Sequence, residues 1–189
     1  MIYLIFLFGI FSPPDSLLDK AAFDLYMNNS NVIEENEYVD LLSVGLFHKI
    51  NVYREENHLP ALKWDKQVFQ AAEIHSKAMT ESSFFSHINP RKKIWKTPKD
   101  RLTYVQADFF AWAENIASFN NPKPQTVDAE VIYAWIDQLF YQWINSKPHR
   151  KNIRNETFTH SGISCYFSPA ALRENRALVN ATNVFTAKN

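Results

Sequence analysis

At 189 residues, with 46% hydrophobic and 15% aromatic side chains, the chain can bury the core of one domain without covalent staples. Lysine plus arginine equals aspartate plus glutamate at 20 each, so no overall basic field marks it for nucleic acid or acidic membranes. Its one cysteine rules out an intrachain disulfide, and its three glycines argue against a fold of many tight hairpins, since ordinary usage of about 7% would supply roughly thirteen.

Met1 to Phe11 is an apolar run too short to span a bilayer, which takes about 20 residues. It suits the h-region of a signal peptide, although no lysine or arginine precedes it and no small-x-small cleavage site follows; a buried N-terminal segment is the other reading. Ser12 to Glu37 turns polar, with Pro13-Pro14 and Asn28-Asn29-Ser30-Asn31, and reads as a linker. The folded domain is therefore expected at 38–189, behind a leader and linker at 1–37.

Leu41, Leu42, Leu46, Ile50 and Tyr53 recur at three- and four-residue spacing and predict an amphipathic helix from Tyr38 to His58, stopped by Pro60. Asp65 is placed to cap a second helix reaching about Ser82, with Val68, Ala71, Ala72, His75 and Met79 along one side. Ser83 to Phe110 has little periodicity and predicts a long irregular connection with one helical turn near Arg101-Leu102-Thr103-Tyr104; loops of that length are usually functional. Its Arg91-Lys92-Lys93 run reads as a solvated loop rather than a binding patch. Trp112 to Ser118 predicts a short strand. Thr126 is placed to cap a third helix, in which Val131, Trp135, Leu139 and Trp143 space by four, with Asp128 and Glu130 in the first turn to suit the dipole. Pro148 breaks that helix and sets His149 directly behind the break. Two strands follow, Ser161 to Phe167 and Ala177 to Phe185. Gly162 marks a bulge or a close backbone approach, and Cys165, alternating with Ile163 and Phe167, reads as a small buried core residue. Helices, a strand, a helix and a strand pair indicate an α+β fold.

Three segments set a polar side chain against an apolar run: Phe84-Phe85-Ser86-His87, Trp112-Ala113-Glu114-Asn115-Ile116-Ala117, and Trp143 to Ile153 with His149. Two neutral imidazoles and one carboxylate form a set that zinc or another divalent metal accepts with an open position. His87, Glu114 and His149 are accordingly the candidate site. Ser86 and Ser146 lie near histidines without a nucleophile elbow, so no catalytic serine is expected. His48 and His58 read as solvated, His75 as a satisfied core histidine, and His160, at the mouth of a strand, as an auxiliary site residue.

Taken in order, these segments resemble the bacterial branch of the CAP superfamily, or SCP domain, the class of cysteine-rich secretory, antigen 5 and pathogenesis-related proteins. The counterparts are His87, then Ala113 to Ala117 in place of a Gly-Glu-Asn-Ile-Ala strand, then Trp143 to Ile153 followed by Phe158-Thr159-His160-Ser161-Gly162-Ile163. Upstream, Phe47 to Arg54 and Leu59-Pro60-Ala61-Leu62-Lys63-Trp64-Asp65 complete the match, which runs from about Tyr38 to Lys188. The resemblance implies a three-layer α-β-α sandwich with a central cleft, in which His87, Glu114 and His149 hold three of four ligand positions. At the fourth, where a second glutamate would stand three residues after the helix tryptophan, this chain has Ser146. A hydroxyl is a poor ligand for such a cation, so zinc or another divalent metal is expected to bind weakly. Arg150 and Asn152 are expected to support the turn holding His149.

The function this implies is a secreted or cell-envelope, non-enzymatic module that binds a small molecule, lipid or envelope partner through the cleft, with no nucleic acid and no transmembrane span. The rival is a metal-dependent hydrolase with Glu114 as general base. A third reading keeps the polar cluster as a structural hydrogen-bond network.

Overall fold

In the computed structural model, which describes residues 13–188, the segment read as a linker is folded. A short 3-10 turn (Asp15–Leu18) leads into helix α1 (Lys20–Asn29), capped by Asp19, whose carboxylate accepts from Ala22 N. Phe23 and Met27, one turn apart, enter the main core. Two apolar anchors in a polar stretch are too few to register as periodicity, and the flanking prolines and asparagines dominate the composition. The run Met1 to Phe11 lies outside the described residues.

Helix α2 (Tyr38–Glu56) ends before Pro60, and His58 follows it in a left-handed turn with φ of 57°. His48, expected to be solvated, is buried, and its Nε2–H donates to Leu17 O at 2.9 Å. The chain leading into α1 lies over a face that α2 alone would leave to water. After β1 (Lys63–Trp64), helix α3 (Lys66–Glu81) starts at Asp65, whose Oδ1 accepts from Gln67 N and Val68 N. The irregular connection contains a 3-10 turn (Lys93–Trp95) and helix α4 (Pro98–Tyr104), which begins in a capping box of Thr97 and Asp100.

Strand β2 (Ala111–Pro122) is longer than predicted, because its pairing carries on through Asn120 and Asn121. Helix α5 (Ala129–Asn145) is capped by Asp128, which accepts from Val131 N, rather than by Thr126. Pro148 does not leave His149 in an open turn. It sits in the first turn of helix α6 (Lys147–Ile153), where its missing N–H would have no helical partner anyway. Strand β3 (His160–Phe167), helix α7 (Pro169–Arg173) and strand β4 (Arg176–Ala187) close the chain.

The strands form one sheet in the order β1-β3-β4-β2, with β1 parallel to β3 and the other pairs antiparallel. Side chains alternate between its faces. Phe119, Ile163, Cys165, Phe167, Val179 and Phe185 join the core shared with α2 and α5. The opposite face, where Glu114, Val184 and Gly162 stand side by side in register, is covered by α3 and α4. The result is an α+β three-layer α-β-α sandwich. Gly162 is a close approach: a Cβ there would lie 2.0 Å from Phe69 N, so the first turn of α3 rests directly on the sheet. Among the described residues, no helix is long and apolar enough to cross a membrane.

Candidate functional site

Glu114 sits on the edge strand β2, on the face under α3, with its side chain 1% exposed. A carboxylate taken out of water needs compensation, and two elements supply it. From α4, the fully buried Arg101 donates through Nη2 to Oε2 at 2.6 Å. From the connection after α3, His87 Nδ1 meets Oε1 at 2.9 Å. Burial pushes the Glu114 carboxyl up, but His87, Arg101 and His75 outweigh it and hold the group below the usual carboxylate range. Arg101 also donates to the carbonyls of Trp95, Lys96 and His87, and so ties the connection to the same charge.

His75, on the buried side of α3, faces the same carboxylate, with Nε2 3.9 Å from Oε1. That nitrogen carries its proton, because it donates to Ser86 O at 2.8 Å; Nδ1 is buried without a partner. Burial drives the His75 imidazole down to about 4, despite the pull of Glu114. His75 is thus a core histidine, as expected, but it also belongs to the site. Sequence reasoning missed both this role and Arg101. The one available signal was a carboxylate inside an apolar strand, which demands a buried cation from elsewhere.

His149 reaches β2 from the other side. Asn115 Nδ2 donates to His149 O at 3.1 Å, and Asn152 Nδ2 donates to Asn115 Oδ1 at 2.8 Å. Arg150 donates to Ile144 O, so Arg150 and Asn152 do hold the His149 segment. Burial first, and the neighbouring His87 second, lower the His149 pKa, and its Nδ1 is buried without a partner. The edge of β2 therefore gathers His87, Glu114 and His149, though in unequal roles. Ser146 occupies the junction of α5 and α6 without a side-chain cap. His160 opens β3, two strands from β2, with Nδ1 against Thr159 Oγ1 and with Asp65, Asp108 and Lys188 around it.

The donor chemistry tests the metal set. Both Glu114 oxygens are taken by protein donors, and a cation bound there would stand beside the Arg101 guanidinium. Among the described residues no group of three or more His, Cys, Asp or Glu is arranged to hold an ion. A centre with Glu114 as direct ligand does not fit. What remains is the His87 Nε2 lone pair, with Glu114 behind the ring as an orienting carboxylate, and the His149 imidazole. A groove of about 470 Å³ between α1, α2 and α5, lined by Phe23, His48, Tyr133 and Phe140 among others, includes none of these three residues.

Comparison with known proteins agrees with this arrangement of elements. The sequence model of the cysteine-rich secretory protein family, CAP, matches residues 47–181. The chain is 31% identical over 144 residues to the uncharacterized membrane protein YlbC of Bacillus subtilis, covering 76% of this chain and 35% of that protein. It is also 31% identical over 113 residues to the uncharacterized protein YkwD of the same organism, covering 60% of this chain and 38% of the relative. It thus spans little more than a third of the length of these curated relatives. Among solved structures, an extracellular SCP-domain protein from Bacillus anthracis superposes with a TM-score of 0.61 at 26% identity, over 88% of this chain and 50% of that one. An outer surface protein of Borrelia burgdorferi shares the fold with a TM-score of 0.61 at 16% identity, over 85% of this chain and 99% of its own. With the family's sequence pattern matched across most of the domain and its sandwich reproduced in the fold, the chain belongs to the CAP, or cysteine-rich secretory protein, family.

Proposed function

We propose that this chain is an exported, non-enzymatic binding module whose ligand or partner docks where the connection after α3 and helix α6 flank the edge of β2. One observation carries the reading: Glu114 is buried, its side chain 1% exposed, with each oxygen held by a protein donor. A general base acting on a metal-bound water needs a lone pair that the water can reach, whereas the Glu114 carboxylate lies inside the protein, its oxygens turned to Arg101 and His87. Glu114 instead fixes the His87 ring through Nδ1, and the side chain, 46% exposed, is left to present Nε2 outward. Export is supported by the Met1 to Phe11 run and by relatives described as extracellular and outer-surface proteins.

Two imidazoles hold zinc or a similar ion weakly, and only through unprotonated ring nitrogens, so protons compete with the ion as pH falls. Calorimetric titration with zinc tests the site. Weak binding at pH about 7.5 should vanish in the double variant His87→Ala, His149→Ala and fade at pH about 5.5. Equal affinity in wild type and variant would place the ion elsewhere. Zinc-dependent cleavage of peptide libraries, lost on Glu114→Gln, would establish the hydrolase instead. Mass spectrometry of culture fluid and envelope fractions should find the chain shortened at its N-terminus; an intact Met1 in the cytosol would refute export.

A further inference from the structure

The zero net charge conceals one strongly uneven segment. Between Glu81 and Asp100 the sequence has no carboxylate, while Arg91, Lys92, Lys93, Lys96 and Lys99 supply five of the twenty lysines and arginines of the chain. All five are exposed. The ion pairs of the described residues engage other lysines, together with Arg101, and none of these five. The nearest carboxylate in sequence, Asp100, accepts from the backbone and hydroxyl of Thr97 in the α4 capping box. An approaching surface senses charge only within a Debye length, about 8 Å at physiological salt. It meets this cluster, not the neutral whole.

The segment is also built, unlike a merely solvated loop. Asn89, 2% exposed, closes its base: Asn89 N donates to Lys96 O at 2.8 Å, and Asn89 Oδ1 accepts from Arg91 N and Lys92 N. Arg101 holds the far side through the carbonyls of Trp95 and Lys96, and the Trp95 ring packs edge-on against Tyr104 at 5.4 Å. The resulting finger carries exposed apolar side chains among its cations: Ile94 is 59% exposed and Ile88 42%, with Phe85 at 53% just before them and Tyr104 at 50% beside the base. Cations alone would suit any polyanion. Cations interleaved with aliphatic and aromatic groups suit an interface that offers phosphate at its surface and hydrocarbon beneath it.

We propose that the 88–99 finger docks this protein onto a bilayer surface containing anionic phospholipids, with Ile94 and its apolar neighbours entering the headgroup region. The proposal is independent of ligand binding at His87 and His149. Sedimentation of the full chain with phosphatidylcholine vesicles, with and without phosphatidylglycerol, tests it. Met1 to Phe11 is common to every variant, so differences between variants report the finger. The triple change Arg91→Gln, Lys92→Gln, Lys93→Gln should lower partitioning onto anionic vesicles about a hundredfold and leave neutral vesicles unaffected. Ile94→Ser should cost about tenfold. These side chains are exposed, and unchanged thermal unfolding will confirm that the variants fold. Wild-type binding by the triple variant would overturn the proposal. So would binding that soluble polyphosphate displaces and Ile94→Ser leaves intact, which would assign the finger to a soluble polyanion.

Discussion

Replacing Arg101 by methionine exposes the energetics on which the site rests. The substitution keeps an unbranched chain of similar length in the slot but removes the charge, leaving Glu114, 1% exposed, without its main cation. Losing one partner of a buried pair costs about 3–5 kcal/mol. The hydrogen bond to Trp95 O at 3.1 Å adds about 1 kcal/mol, while the longer contacts to Lys96 O and His87 O add little. A loss of about 5 kcal/mol is expected at neutral pH, a large part of a domain's usual 5–15 kcal/mol, roughly.

The pH dependence identifies the cause of that loss. In the wild type, Glu114 titrates below its unfolded value, so its contribution is present above about pH 4.3 and is lost as pH falls through the folded pKa. In Arg101→Met, burial is opposed by His87 and His75 alone, and the same pKa is expected to rise. The variant is then penalised above that raised value and relieved as pH falls through it toward about 4.3. The gap between the two proteins must therefore narrow on acidification. Urea unfolding followed by tryptophan fluorescence from neutral pH to about pH 4.5 measures it, with Arg101→Met, Glu114→Gln recovering about half the loss. A gap that stays constant with pH, or a loss below about 1 kcal/mol, would refute the buried-charge argument.

Arg54, fully buried, donates to the carbonyls of Pro60, Ile153, Asn155 and Phe158; Arg54→Lys cannot span all four and should cost about 3 kcal/mol in urea unfolding. Gly162→Ala places a Cβ 2.0 Å from backbone, so it should cost at least about 3 kcal/mol. Gly45→Ala meets the movable end of Ile136 at 2.2 Å, and should cost nearer 1 kcal/mol, roughly; equal losses would mean that α3 can lift off the sheet. His75, neutral in the fold with its pKa near 4, must be protonated in the unfolded chain below about 6.5, so stability should decline from about pH 6.5 toward 4 by an amount on the order of 3 kcal/mol. His75→Gln should flatten that slope, and a histidine NMR titration that finds His75 near its ordinary value of about 6.5 would contradict it.

Much of this protein could be read from residues close together in the chain. The four-residue spacing of Val131, Trp135, Leu139 and Trp143, the Asp65 cap and the apolar side of α3 each define an element through its own repeat. The motif order was enough to indicate the family and its sandwich, because the pieces around His87, Glu114 and His149 each keep their local pattern. Gly162 was legible as a bulge or a close approach, and the packing of α3 on the sheet decided between them. Helix α1 and the burial of His48 were not legible, since each depends on which surface a neighbouring element covers, while Pro148, a stop for α5, suits equally the first turn of a new helix, α6.

The site divides along the same line. Its three expected residues do gather at the edge of β2, but their roles were decided by residues distant in sequence. Arg101 and His75 meet Glu114 only because α3 and α4 pack on one face of the sheet, and the strand register turns Glu114 toward that face and Asn115 toward α6. A hydrophobic repeat is a property of one segment and survives in the sequence as spacing. Compensation of a buried charge is a property of a place in space, and only the packing of elements distant in the chain determines which cation arrives there and whether a carboxylate is left free to act.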